Sequence, residues 1–152
     1  MKTKCITAVL ALAFTTASVW GAPPAAAKDV VIVANDQMKF SVTQIEAQPG
    51  QTLHVQLKNE GSIPKEVMGH NWILLKAGHD PVAYANAAIS SAKENYEPKA
   101  LADQVLASIP LLGPRHNGEV TFTAPETPGT YAFLCSFPAH SQAGMRGILV
   151  VK

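Results

Sequence analysis

Two short stretches hold side chains that suit a soft metal ion. The first is Met68-Gly69-His70-Asn71-Trp72, which offers one imidazole. The second is Cys135-Ser136-Phe137-Pro138-Ala139-His140-Ser141-Gln142-Ala143-Gly144-Met145, a Cys-x4-His-x4-Met pattern. Together they supply a thiolate, two imidazoles and a thioether. Three strong ligands with a weak axial thioether form the ligand set of an electron-transfer copper site. Thiolate and thioether favour Cu(I), and imidazole suits both copper oxidation states, so such a site can cycle between them.

Other metals fit this set less well. A structural zinc site takes four Cys or His ligands, and this cluster has three. A catalytic zinc site leaves its fourth position to water, whereas here that position faces Met145, a poor zinc ligand. Calcium and magnesium prefer oxygen donors. Each residue alone also has an ordinary reading. Cys135 could be a small buried apolar residue, His70 a core histidine, His140 a solvated loop residue and Met145 plain core. It is the joint pattern that favours copper. The remaining histidines, His54, His79 and His116, read as surface residues.

The amino terminus reads as a secretory leader. Met1–Lys4 is short and basic, and Ile6–Ala17 is mostly apolar but too short to span a bilayer. Ala25-Ala26-Ala27 fits a small-residue cleavage site, with a second choice at Gly21. Residues 1–27 are therefore expected to be removed, leaving residues 28–152 as one domain in the periplasm with no membrane span. Loss of Lys2 and Lys4 leaves ten basic residues against eleven acidic ones, and loss of Cys5 leaves Cys135 as the sole thiol. A lone thiol in an oxidising compartment is inert, reactive, paired between molecules or metal-bound. With 15% charged residues and no basic stripe, the chain is a poor nucleic-acid binder, and 47% apolar content argues against disorder.

Short strands must position the two stretches. Val30–Val33 is a β-branched run, Phe40–Ile45 alternates, and Leu53, Val55 and Leu57 alternate with polar neighbours. Asn71–Leu75 reads as a more fully buried strand. Gly118–Ala124, Thr130–Phe137 and Gly147–Val151 complete the set, with Gly/Pro turns between them. Strands at this spacing predict an all-β sandwich. Residues 78–108 break the pattern. Asp80-Pro81 looks like a helix cap, Val82–Lys93 is alanine-rich, and Leu101–Leu106 reads as another turn or a short strand. The expectation is a helical flap outside the sandwich.

These motifs resemble the azurin/auracyanin group of small blue copper proteins, the cupredoxins. The resemblance runs over nearly all of residues 28–152. It rests on Asn35-Asp36-Gln37-Met38, on Ile63-Pro64-Lys65 with Val67–Trp72, and on Thr130–His140. It implies a Greek-key β-sandwich and one type 1 copper. It implies His70, Cys135 and His140 as trigonal ligands, Met145 as the axial ligand, and the Gly69 carbonyl as a weak opposite contact. It further implies that the Asn71 and Phe137 amides donate to the Cys135 sulfur, and that the Asn71 side chain ties the ligand loops together. The gap from His140 to Met145 is one residue longer than in azurin, as in auracyanin. Azurin's disulfide has no counterpart, since Lys28 and Pro49-Gly50 occupy the corresponding stretches.

The function implied is a monomeric single-electron carrier, not an enzyme. A nitrite reductase-like enzyme would need a second metal site. His140 is expected nearest solvent, as the electron port. An uncharged patch around it would dock c-type cytochromes or copper oxidoreductases. A copper storage or delivery protein could use the same residues.

Overall fold

The computed structural model describes residues 25–152. Residues 1–24 of the expected leader lie outside them. Ala26 is held through its carbonyl, which accepts from Gln51 Nε2 at 2.7 Å.

The period-two patterns form strands as predicted, and two mixed sheets pack as a sandwich. In chain order the strands are β1 (Lys28–Asn35), β2 (Lys39–Phe40), β3 (Gln44–Ala47), β4 (Thr52–Asn59), β5 (His70–Leu75), β6 (Val105–Leu112), β7 (Asn117–Thr123), β8 (Gly129–Leu134) and β9 (Arg146–Val151). One sheet has the order β2-β1-β4-β7 and the other β3-β9-β8-β5-β6. β1 pairs with β4 in parallel, and β3 with β9 in parallel. The expected run Phe40–Ile45 is split, because Ser41–Thr43 carry the chain from one sheet to the other.

β4 shows why period two encodes a face. Leu53, Val55 and Leu57 are fully buried, while the residues between them are half-buried. Opposite them, Trp72, Leu74, Phe133 and Leu149 complete the main core. Full burial of such side chains contributes roughly 1.5–3 kcal/mol each.

β5 is buried along its whole length because it is covered on both faces. Trp72 and Leu74 face the main core. Ile73 and Leu75 join Leu134 in a second, smaller core closed by Tyr84, Ala85 and Ala88 of a helix. A short helix α1 (Lys65–Met68) precedes β5, and the covering helix is α2 (Pro81–Ala88). The Asp80 cap forms as expected, its Oδ1 accepting from the Val82 and Ala83 amides at 2.7 and 2.9 Å. Two 3₁₀ segments follow, Ala92–Glu94 and Lys99–Gln104.

Two expectations about this region need correction. The helix stops at Ala88 rather than Lys93, and the flap ends at Gln104 rather than at residue 108. Val105–Ser108 instead open β6, which pairs antiparallel with β5. The flap also lies against the outer face of the second sheet and supplies half of the smaller core.

Among the described residues the buried Tyr84 hydroxyl has no hydrogen-bond partner. Burial, and then Glu97, push its pKa up. An orphaned buried hydroxyl carries a desolvation cost with no compensating bond. Tyr84→Phe should therefore raise stability by about 1 kcal/mol, read as a higher urea midpoint. A fall of that size would mean that the hydroxyl is bonded.

Candidate metal centre

The sandwich brings the two chemical stretches together at one end. His70 opens β5, opposite Leu112 of β6. Gly69 precedes it in a confined spot, where an added Cβ would lie 2.7 Å from the Lys65 carbonyl oxygen and 3.0 Å from Leu111 Cγ. A larger residue there would displace the approach of α1 to β5. Cys135 directly follows β8, and Met145 directly precedes β9.

The loop between them satisfies its own backbone. The amides of His140, Ala143, Gly144 and Met145 donate to the carbonyls of Phe137, Ala139, Ser141 and His140. The Cys135 amide donates to the Met145 carbonyl at 3.0 Å, which closes the loop at its base. Gly144, at φ 96°, supplies a left-handed turn that favours glycine.

Ligating atoms of His70, Cys135 and His140 all lie within 4.8 Å of one another. Cys135 Sγ is 3.4 Å from His140 Nδ1. The two imidazole rings have centroids 4.9 Å apart, and the Phe137 ring lies 4.7 Å from His140. Met145 is fully buried in the same core. His140 is 2% exposed and the other three are 0% exposed. The order of exposure follows the sequence expectation, but His140 is covered rather than open.

Each donor prefers its neutral form. Burial pushes the Cys135 thiol up to about 12, against the opposing pull of the Asn71 and Phe137 amides. Burial, and then the neighbouring His70, push His140 down to about 4. Burial also lowers His70, against the Asn35 carbonyl and Asp36, which favour its protonated form. The Asn35 carbonyl faces the His70 ring as an acceptor, although among the described residues neither ring nitrogen makes a hydrogen bond of standard geometry. Two buried imidazoles beside a thiol in a dry pocket suit a soft cation, which satisfies the ring nitrogens near the sulfur and stabilises the thiolate.

Surrounding residues hold this arrangement. Asn71 Nδ2 donates to Ser136 Oγ at 2.8 Å, and the Ser136 amide donates to Asn71 Oδ1 at 2.8 Å. Asn71 thus ties the segment of His70 to that of Cys135. Asp36 accepts from the Ser62 amide and hydroxyl, each at 2.9 Å, and fixes the loop leading to α1. Buried Asn59 donates to the Leu112 and Gly113 carbonyls. Sequence reasoning missed Asn59 and Ser136. A polar residue at an inward position of an alternating strand was the available signal for Asn59.

The other histidines stay apart from the cluster. His79 and His116 are exposed, as expected. His54 is half-buried rather than free, with Nδ1 3.1 Å from Asp29 and Nε2 3.4 Å from Glu119.

The profile of the copper binding proteins, plastocyanin/azurin family, matches residues 27–152. The chain belongs to that family. Azurin of Pseudomonas denitrificans is 37% identical over 126 residues, spanning 81% of this chain and 97% of that protein. Auracyanin-A of Chloroflexus aurantiacus is 37% identical over 119 residues, spanning 77% and 69%. The solved structure of auracyanin A, described as a "blue" copper protein, superposes with a TM-score of 0.72 at 34% identity, covering 83% and 99%. His70, Cys135, His140 and Met145 form a site of plastocyanin/azurin type that suits one type 1 copper.

Copper uptake should release about one proton per chain at neutral pH, from Cys135, because both imidazoles are already neutral. Calorimetry in buffers of differing ionisation heat counts it. Release of two or more would contradict the neutral pocket. The unfolded chain protonates at His140 near 6.5, before the folded one near 4. Metal-free stability should therefore fall as pH drops through that window. A urea midpoint flat between pH 7 and 4 would contradict it.

Proposed function

We propose that the chain is a periplasmic, monomeric carrier of single electrons. In this reading His70, Cys135 and His140 would hold copper, with the Met145 thioether and the Gly69 carbonyl as weaker donors. Copper, when bound, supplies the chemistry of one electron exchanged between Cu(II) and Cu(I).

The convergence of three neutral, buried donors within 4.8 Å carries the proposal. The chain's own residues do three things. β5 and β8 seat His70 and Cys135 at the ends of rigid strands, so little must move when charge changes. The main core and Phe137 exclude water. The Asn71 and Phe137 amides favour the thiolate of Cys135, and hydrogen bonds around a ligating sulfur tune the potential.

Electrons would leave through the His140 side, where the cover is thin. Ala139 and Ala143 are exposed, Met68 and Pro138 half-buried, and nearby Val67 is 62% exposed. These uncharged side chains suit a small, short-lived redox interface, edged by Lys39 near Gly144 and by Arg146, which donates to the Ser141 carbonyl. By family analogy its partners are c-type cytochromes or copper oxidoreductases. The residues expected as a leader, 1–27, support export to the periplasm.

The visible and EPR spectra of the copper-loaded protein, followed by redox titration, test the reading. An intense blue oxidised form is expected, and a colourless one would overturn it. Cys135→Ser should abolish the colour. Met145→Leu should keep it with a changed potential, because an axial ligand tunes the centre rather than builds it. Easy copper loss with slow electron self-exchange would instead mark a delivery protein.

A further inference from the structure

Asn95 and Tyr96 have φ values of 54° and 60°, in the left-handed region. Residues with a Cβ enter that region at a cost and persist there only where their surroundings enforce it. The turn they make follows the 3₁₀ segment Ala92–Glu94 in the flap and is closed by the Tyr96 amide donating to the Ser91 carbonyl at 3.0 Å. Its result is to aim the Tyr96 carbonyl at the Ser136 hydroxyl, which donates to it.

That hydroxyl also accepts from Asn71 Nδ2, so the flap meets the bridge between the two ligand segments directly. The Tyr96 ring adds a second contact. It stands edge-on to Phe137 at 5.0 Å, and Phe137 in turn lies against His140. Tyr96 is also packed against both the main and the smaller core. The remaining flap contacts lie farther along the loop. Ser141 Oγ reaches the Pro81 carbonyl at 3.4 Å, and Gln142 Nε2 reaches Asn86 Oδ1 at 2.6 Å.

We propose that Tyr96 is a positioning residue for the metal centre. Its carbonyl locks the Ser136–Asn71 bridge and its ring backs Phe137. Through this one strained turn the flap sets the stiffness of the segment from Cys135 to His140. The redox part of the argument rests on the carrier reading above, and the hydrogen-bond linkage does not.

The test compares Tyr96→Ala, Tyr96→Phe and Ser136→Ala. In the metal-free protein, amide hydrogen exchange at Ser136, Phe137 and His140 should accelerate about tenfold or more in Tyr96→Ala and Ser136→Ala. Amides of β1 and β4 should keep their rates. Tyr96→Ala keeps the backbone carbonyl and loses the ring, whereas Ser136→Ala loses the hydroxyl that donates to that carbonyl. Tyr96→Phe keeps both contacts and should match the parent. The Tyr96→Ala/Ser136→Ala double variant removes both contacts and should accelerate exchange more than either single one. With copper loaded, both alanine variants should shift the redox potential and Tyr96→Phe should not. Unchanged exchange in the ligand loop would overturn the proposal. So would acceleration spread evenly over both sheets, which marks a merely structural loss. A protein that binds no copper would sink the carrier reading, while the exchange measurement would still decide the linkage.

Discussion

Cys135 sits where a thiolate has almost nothing to stabilise it. Its sulfur is enclosed by the main core, and the Asn71 and Phe137 amides pull it toward ionisation against that burial. The two neighbouring imidazoles are pressed toward neutrality by the same burial. Desolvation is thus the constraint on which the rest depends. A soft cation is the partner that lets all three donors be satisfied at once, and water is kept from competing for them.

The sandwich meets this constraint by placing donors where backbone freedom is least. His70 begins a strand covered on both faces, Cys135 ends its neighbour, and Met145 starts the strand beside that. The loop between Cys135 and Met145 bonds to itself, so it does not rely on solvent to hold its shape. Asn71 and Ser136 then link the two segments by a pair of 2.8 Å hydrogen bonds. The flap belongs to the same scheme. It shields the outer face of β5 and reaches the ligand loop through Tyr96, Pro81 and Asn86.

Much of this was legible in the sequence, for physical reasons that differ by element. β1 and β4 bury one face, so alternation betrays them. β5 shows as a continuous apolar run because both faces are covered. The ligand stretches are legible because metal chemistry demands particular residue types at short spacing. β6 is harder to read. Ser108 and Pro110 interrupt its apolar pattern, and its first residues follow directly on a 3₁₀ segment, so the boundary leaves no breaker behind. Ser136 and Tyr96 are harder still. A serine whose partner is a backbone carbonyl 40 positions away has no local signature. Nor does a tyrosine mark itself as left-handed, since glycine is the residue normally found there.

β9 completes the second sheet by pairing with β3 on one side and β8 on the other, with Gln44 opposite Ile148 and Leu134 opposite Arg146. Three of the four donors therefore arrive late in synthesis, and the strand that anchors them arrives last. A nascent chain lacking residues 145–151 has no Met145 carbonyl to close the turn at Cys135 and no strand beside β3. Closure of the donor cluster is in this way tied to docking of the final strand.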